Sequence, residues 1–338
     1  MIDRNEAWFG RIGLFLSYSN NQMRIIYFGT PEFAASQLEA IIAAGYEVAA
    51  VVTMPDKPAG RGKKIQFSEV KKTAMKHGLP LLQPEKLKDP DFLQALESFH
   101  ADLFIVVAFR MLPAVVWKMP KLGTFNLHAS LLPQYRGDAP INHAIINGET
   151  VTGLTTFFLN EEIDKGAVIM RESVEIRPDE TAGELHDELM LLGNKLVVET
   201  IQKIESNDIQ PVTQEELAAG TILKDAPKIF KDFCDIRWDR NCSVIYNHIR
   251  GLSPYPAAHT RLTSDQGAVL ELKVYTSKIE TRQPNEPTGT VLTDHKSFLK
   301  IAANDGYIHL TTIQQAGKKA MKAEEFLRGF RFEGQWKA

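Results

Sequence analysis

Asn126 and His128 stand two apart in "FNLHASLLPQYRGDAPI", and Asp164 follows in "EEIDKGAVI". These are residue types that acyl chemistry uses. A neutral imidazole takes up a proton or, once charged, donates to a developing oxyanion. An Asn side-chain N–H is a fixed donor for the same oxygen, and a carboxylate beside an imidazole orients it and stabilises its charged form. No Gly-x-Ser-x-Gly occurs, and no Ser or Cys sits in a nucleophile elbow. A covalent acyl-enzyme is therefore disfavoured, and the set suits direct transfer to a nucleophile brought by a second substrate. A buried polar cluster that satisfies its own hydrogen bonds contains the same residue types. Spacing alone does not choose between the two.

The elements that carry these residues follow from hydrophobic patterning. Phe125, Leu127 and Ala129 alternate with Asn126, His128 and Ser130, a period of two that predicts a strand with one apolar and one polar face, ending before Pro133 and Arg136-Gly137. Upstream, "RIIYFG" (24–29), "YEVAAVVTM" (46–54) and "ADLFIVVAF" (101–109) read as buried strands. Helices are expected over 30–45, with Thr30 as N-cap and Pro31 in the first turn, and over 68–78. Strands apolar on both faces predict a predominantly parallel, Rossmann-like sheet with helices on either side. Only Gly29 follows the first strand, so the Gly-x-Gly-x-x-Gly fingerprint is absent. Ligands of such sheets sit at the carboxyl ends of the strands. There the polar face of residues 126–130 is delivered.

Residues 151–176 alternate again around a turn and predict an antiparallel pair whose connection holds Asp164. A long helix follows over 181–206, capped by Thr181 with Glu184 three residues later; His186 on it reads as structural or surface. Residues 207–227 are polar, include Pro211 and Pro227, and read as a linker. Beyond them come a helical stretch around 241–252 and several short strands, with turns at Asp265-Gln266-Gly267 and Asn304-Asp305-Gly306. That pattern predicts a small OB-like β-barrel over 228–338, a class that commonly binds oligonucleotides.

Charge supports the same division. From Lys224 onward there are 18 basic and 13 acidic residues, a net of +5, against −3 for the whole chain, which leaves −8 for the remainder. In "DKPAGRGKK", Lys57, Arg61, Lys63 and Lys64 fall within eight residues without an intervening acid, spaced by Pro58, Gly60 and Gly62. A mobile basic loop of this kind can follow a polyphosphate backbone, although an isolated basic run is more often solvated surface. Lys318 and Lys319 make a weaker version of the same case.

With 338 residues, 44% hydrophobic and 24% charged, the composition is that of an ordinary two-domain globular chain. Two cysteines suit a reducing compartment, and no Cys or His spacing suggests a metal. No apolar run approaches the roughly 20 residues of a membrane helix. Residues 1–22 lack the basic start and long apolar stretch of a signal peptide, and Met23 reads as a natural start, so they are expected to be a dispensable extension. A cytoplasmic location follows.

The Asn-x-His strand, the Ser-Leu-Leu-Pro loop and the later Asp-x-Gly resemble the catalytic core of formyltransferases that use 10-formyltetrahydrofolate. "MRIIYFGTPEFA", "MPDKPAGRGKKIQFSEVK" and "IQQAGKKAM" resemble the branch of that family acting on methionyl-tRNA, and the resemblance covers Met23 to about Arg331. It implies a Rossmann-like domain over 23–206, a linker over 207–227 and an OB-like tRNA-binding domain over 228–338, working as a monomer without a metal. It implies catalysis by Asn126, His128 and Asp164, with Ser130, Leu131, Leu132 and Pro133 lining the folate site. It also implies contact with initiator methionyl-tRNA through Lys57, Arg61, Lys63, Lys64, Lys318 and Lys319. The chain departs from the family pattern in places: Lys165 stands inside the Asp-x-Gly, Asp138 and His143 replace a small and a basic residue, and Arg110 in "AFRMLP" replaces a Gly.

Three rival activities share part of this pattern. A formyltransferase for a small amine needs neither the basic segment nor the barrel. A formyl-folate hydrolase would release formate without an acceptor. A non-catalytic RNA-binding protein has no use for the polar strand face. Because the first core strand begins after Met23, deleting residues 1–22 is expected to leave the thermal midpoint nearly unchanged. A large fall on truncation, read by differential scanning calorimetry, would show that this segment packs on the body.

Overall fold

The computed structural model describes residues 23–59 and 64–338; residues 1–22, and with them the extension, lie outside that description. The chain divides into two compact units. One comprises residues up to His128 with Leu154–Glu172 and Met190–Ala219, and the other comprises Ala129–Gly153, Ser173–Leu189 and Gly220–Ala338.

The first unit is built on strands β1 (Arg24–Gly29), β2 (Glu47–Val52), β3 (Lys57–Ala59), β4 (Lys64–Gln66), β5 (Leu81–Leu82), β6 (Leu103–Val107) and β7 (Thr124–His128). Strands β8 (Val151–Phe158) and β9 (Val168–Glu175) begin or end beyond it. Seven of the nine form one sheet in the order β5-β2-β1-β6-β7-β8-β9. The β1–β2, β1–β6 and β6–β7 pairs are parallel, and β7–β8 is antiparallel. Continuous apolar strands place Ile26, Phe28, Ala50, Val52, Phe104 and Val106 in one core layer with Leu96, Leu112 and Val116. Full burial of each large side chain contributes about 1.5–3 kcal/mol.

The helix expected at Thr30 starts later, at Glu32. Its first bond runs from Ala35 N–H to the Pro31 carbonyl, so Pro31 holds the cap position. The Thr30 hydroxyl is buried without a hydrogen-bond partner and does not cap. Elsewhere local signals are obeyed. Ser68 Oγ accepts from Lys71 N–H at the start of the helix Glu69–Lys76. The helix Ala182–Glu205 opens on a reciprocal box, with Thr181 N–H donating to Glu184 (2.8 Å) and Glu184 N–H to Thr181 Oγ1 (3.3 Å). The basic segment read as a loop has flanks that pair instead: β3 and β4 form an antiparallel ribbon with Lys57 opposite Gln66 and Ala59 opposite Lys64.

In the second unit, β10 (Ala258–Ser264), β11 (Val269–Glu280), β12 (Val291–Thr293), β13 (Leu299–Ala302), β14 (Tyr307–Gln315), β15 (Met321–Lys322) and β16 (Trp336–Lys337) make an antiparallel sheet ordered β12-β13-β14-β11-β10-β16, with β15 paired to β14 off that path. A bridge between Thr290 and Lys337 joins its two edges, which turns the sheet into a small barrel. Its core holds Trp238, Ile249, Leu272, Ile301, Ile313 and Trp336. The helix Cys242–Gly251 contributes Ile245 and Ile249 to that core. Among the described residues no helix is long and apolar enough to cross a membrane.

Candidate active site

β7 lies between a parallel and an antiparallel neighbour. Asn126 is paired with Val106 of β6 and with Phe157 of β8, and His128 with Thr155 of β8. Residues two apart share a face, so Asn126 and His128 project together, beside Phe157 and Thr155. The opposite face is covered by the helix Ala182–Glu205. There a Cβ on Gly193 would stand 2.8 Å from Gln37 Nε2 and 3.1 Å from Leu127 Cδ2, and Thr156 Oγ1 meets Thr200 Oγ1 at 3.0 Å. His128 is buried and Asn126 half-buried.

Asp164 lies in the connection from β8 to β9, in the left-handed region at φ +53°. Two residues later, a Cβ on Gly166 would stand 1.6 Å from the Phe158 carbonyl and 3.3 Å from the Phe157 ring. The connection is therefore pressed onto the residue that faces Asn126. Gln214 holds it there, its buried amide donating to the carbonyls of Asp164 (2.8 Å) and Gly166 (3.0 Å). Val212 exchanges backbone bonds with Val168 at 2.8 and 2.9 Å, and Thr213 caps the short helix Gln214–Ala218. Sequence reading missed Gln214 because 207–227 is polar in composition. The Thr213-x-x-Glu216 spacing was the one local signal for the helix that carries it.

The exit of β6 forms a second feature of the same unit. Ala108 turns through φ +45°, and Arg110 donates to the carbonyls of Pro84 (2.5 Å) and Glu85 (2.8 Å). Burial pulls the Arg110 guanidinium below its usual pKa. Beside it opens a cleft of about 630 Å³ lined by Leu87, Lys88, Arg110, Met111, Pro113 and Val115. At the exit of β2, Asp56 meets Lys71 (2.5 Å) and Gln83 (2.9 Å), and the bond to Lys71 holds its carboxyl below the ordinary range.

Ser130, Leu131, Leu132 and Pro133 belong to the second unit, where the chain leaves β7. Ser130 and Leu132 are fully buried, Pro133 is buried, and Leu131 remains partly exposed. Ser130 Oγ donates to the Gln134 carbonyl at 2.6 Å, closing the loop. The Leu132–Pro133 peptide is cis. Asp138 is exposed, whereas His143 is buried, hydrogen-bonded to the Pro227 carbonyl at 2.9 Å and packed on Phe233.

Of the basic residues, Lys57 is exposed at the base of the ribbon, and Lys64 is placed by its backbone in β4. Arg61 and Lys63 lie outside the described residues. Lys318 and Lys319 are exposed beyond β14. Among the described residues, no group of three or more His, Cys, Asp or Glu side chains is placed to hold a metal ion.

Residues 23–201 match the formyl transferase family, and residues 228–331 match the formyl transferase C-terminal domain. The chain is 53% identical to a methionyl-tRNA formyltransferase of Bacteroides thetaiotaomicron, over 93% of this chain and 98% of that protein. It is 49% identical to the one of Flavobacterium johnsoniae, over 94% and 99%. Among solved structures, the fold resembles HypX from Aquifex aeolicus in complex with tetrahydrofolic acid, with TM-score 0.60 and 18% identity over 91% of this chain and 47% of that one. It also resembles WlaRD, a sugar 3N-formyl transferase, with TM-score 0.60 and 19% identity over 89% and 100%.

Gly166→Ala tests the seat of Asp164. A Cβ there meets backbone, so the connection must shift. The substitution is expected to lower turnover by at least tenfold, because misplacing a positioned group by about 1 Å costs up to roughly a hundredfold. Wild-type turnover in the purified variant would show that the connection does not position the chemistry.

Proposed function

The chain belongs to the formyl transferase family, and we propose that it moves the formyl group of 10-formyltetrahydrofolate to the α-amino group of methionine on initiator methionyl-tRNA. The reading rests above all on one observation: the β7 face carrying Asn126 and His128 is opposed by Phe157, onto which the Asp164–Gly166 connection is pressed. The names borne by relatives at about half identity support the substrate. Formylated methionyl-tRNA serves translation initiation, and a tRNA acceptor places the enzyme in the cytoplasm. It acts as a monomer, with a catalytic part over 23–206, a linker over 207–227 and a tRNA-binding part over 228–338.

The nucleophile needs little activation. A free α-amino group has a pKa of about 7.7–8.0, and an adjacent ester lowers it, so a substantial fraction is neutral at pH 7. The folate supplies the formyl carbon. Asn126 donates its side-chain N–H to the formyl oxygen as negative charge develops there. His128 donates to the same oxygen or relays the proton, and Asp164 orients His128 and helps take the ammonium proton. The cleft at the β6 exit has a volume within the range of small-molecule sites and apolar walls with Arg110 at one side, which fits a flat heteroaromatic donor. By the family resemblance, Ser130, Leu131, Leu132 and Pro133 line the folate site. Lys57, Arg61, Lys63 and Lys64, with Lys318 and Lys319, contact the tRNA backbone.

His128→Ala and Asp164→Ala are each expected to lower kcat by about 10²–10⁴ while the chain still folds. Formyl incorporation into methionyl-tRNA, compared for initiator and elongator species, is the assay. Variants that melt like wild type and keep full kcat would remove these residues from the mechanism, and formate release without acceptor would mark a hydrolase.

Replacing Lys57, Arg61, Lys63 and Lys64 together is expected to raise KM for tRNA far more than for folate. Each lost phosphate contact should flatten the slope of log affinity against log salt by roughly 0.7–0.9. An unchanged slope and an unchanged KM for tRNA would make the segment ordinary solvated surface.

A further inference from the structure

Tyr135 is a buried aromatic residue in the left-handed region, at φ +58°. Bulky side chains rarely adopt that conformation, and it persists only where neighbours over-determine it. Three bonds do so here. The Tyr135 backbone N–H donates to the Lys224 carbonyl at 2.6 Å, its hydroxyl donates to Glu149 Oε1 at 2.5 Å, and Asn147 Nδ2 donates to that hydroxyl at 3.3 Å. The same Glu149 oxygen accepts from Lys224 Nζ at 2.6 Å. Lys224 and Tyr135 hold the carboxyl of Glu149 below its ordinary range against the effect of burial, which raises it.

Residues 222–226 thus lie along 134–139 as a strap. Gln134 Nε2 donates to the Ile222 carbonyl and Gln134 Oε1 accepts from Lys224 N–H, at 3.0 and 2.9 Å. Ala226 N–H donates to the Arg136 carbonyl at 2.8 Å, and Ala139 N–H to the Ala226 carbonyl at 3.2 Å. Gly137, at φ +125°, permits this approach, since a Cβ there would stand 2.4 Å from the Ala226 carbonyl oxygen. The strapped loop begins at Ser130, and the hydroxyl of Ser130 is bound to the carbonyl of Gln134, the residue next to Tyr135.

We propose that Glu149 is a positioning residue for formyl transfer. By clasping Tyr135 and Lys224 with one oxygen, it fixes the strap on the loop and thereby sets the backbone of Ser130–Pro133 for the formyl donor. The inference rests on the proposed placement of the folate beside those residues. Glu149 touches no reacting atom; it acts through Tyr135. Nothing in the chain order signals the contact, because Lys224 follows Glu149 by 75 positions.

The test uses the full chain. Equilibrium binding of tetrahydrofolate gives donor affinity, and steady-state formylation of methionyl-tRNA gives kcat and both KM values. Glu149→Ala is expected to weaken tetrahydrofolate binding and raise the donor KM by on the order of tenfold, with KM for tRNA within twofold of wild type. Glu149→Gln keeps an oxygen acceptor for both partners and should recover most of that loss. Lys224→Met and Tyr135→Phe each remove one arm and should show smaller losses of the same kind, which keeps the inference testable if Glu149→Ala does not fold.

Wild-type donor binding and donor KM in Glu149→Ala would overturn the inference, whatever the melting temperature. So would equal loss in the Ala and Gln variants, or wild-type values in both single-arm variants. A wild-type chain that forms no formyl-methionyl-tRNA would instead defeat the functional reading, and donor binding by the Glu149 variants would still be measurable.

Discussion

The close approach of Gly166 to the end of β8 is the constraint from which the arrangement around Asn126 and His128 follows. Without a side chain at 166, the chain leaving β8 collapses onto Phe158 and against the Phe157 ring. Asp164 must then turn through a left-handed conformation, which is uncommon for a residue with a Cβ though least so for Asp and Asn. That turn leaves the carbonyls of 164 and 166 pointing away from any ladder. A buried carbonyl without a donor is costly, and Gln214 supplies one amide for both. The segment around Gln214 therefore has to pack there, and the Val168–Val212 bridge fixes its approach.

β7 can present polar groups because its other face is closed. Gly193 lets the helix Ala182–Glu205 lie directly on Leu127, and Thr156 meets Thr200 beside it. Apolar burial on that side of the strand is completed by the helix, and the other side carries Asn126 and the buried His128. Three of the seven positive-φ non-glycine residues among those described lie just after these strands: Ala108 after β6, Tyr135 after β7 and Asp164 after β8. Side chains or carbonyls from distant segments secure two of the three. Such strain persists only where the surrounding structure over-determines it.

What could be read in the sequence was local. Alternation exposed the polar face of β7, the Thr181/Glu184 pair marked the helix start, and turn residues located the barrel strands from Ala258 to Gln315. Thr30 was misread because a cap signal does not say which of two neighbouring residues carries the first helical bond. Strand β16 was invisible because two residues carry no period; only its bridge to the far edge gives it meaning. Gln214 and Glu149, and the carbonyls that Arg110 binds, were not legible for a common reason. Each of these three residues acts on carbonyls or side chains that lie from 14 to 75 positions away, and no spacing rule connects them.

The surplus of basic residues in the second unit says less about a polyanionic partner than its distribution does. Several of these cations are committed. Lys300 is paired with Glu280 (2.8 Å), Lys224 with Glu149 (2.6 Å), Arg261 with Glu271 (3.3 Å) and Arg237 with Asp239 (3.2 Å). A phosphate approaching any of them must displace a carboxylate, and that exchange returns little net free energy beyond an exposed pair's modest worth. Lys318 and Lys319 are exposed and, among the described residues, make no ion pair. A phosphate there releases counterions without breaking an internal contact. Lys228, Lys231, Arg240, Lys278, Lys296, Lys322 and Lys337 are likewise exposed and outside any ion pair among the described residues, so uncommitted cations are spread over the second unit and net charge alone does not single out one surface of it.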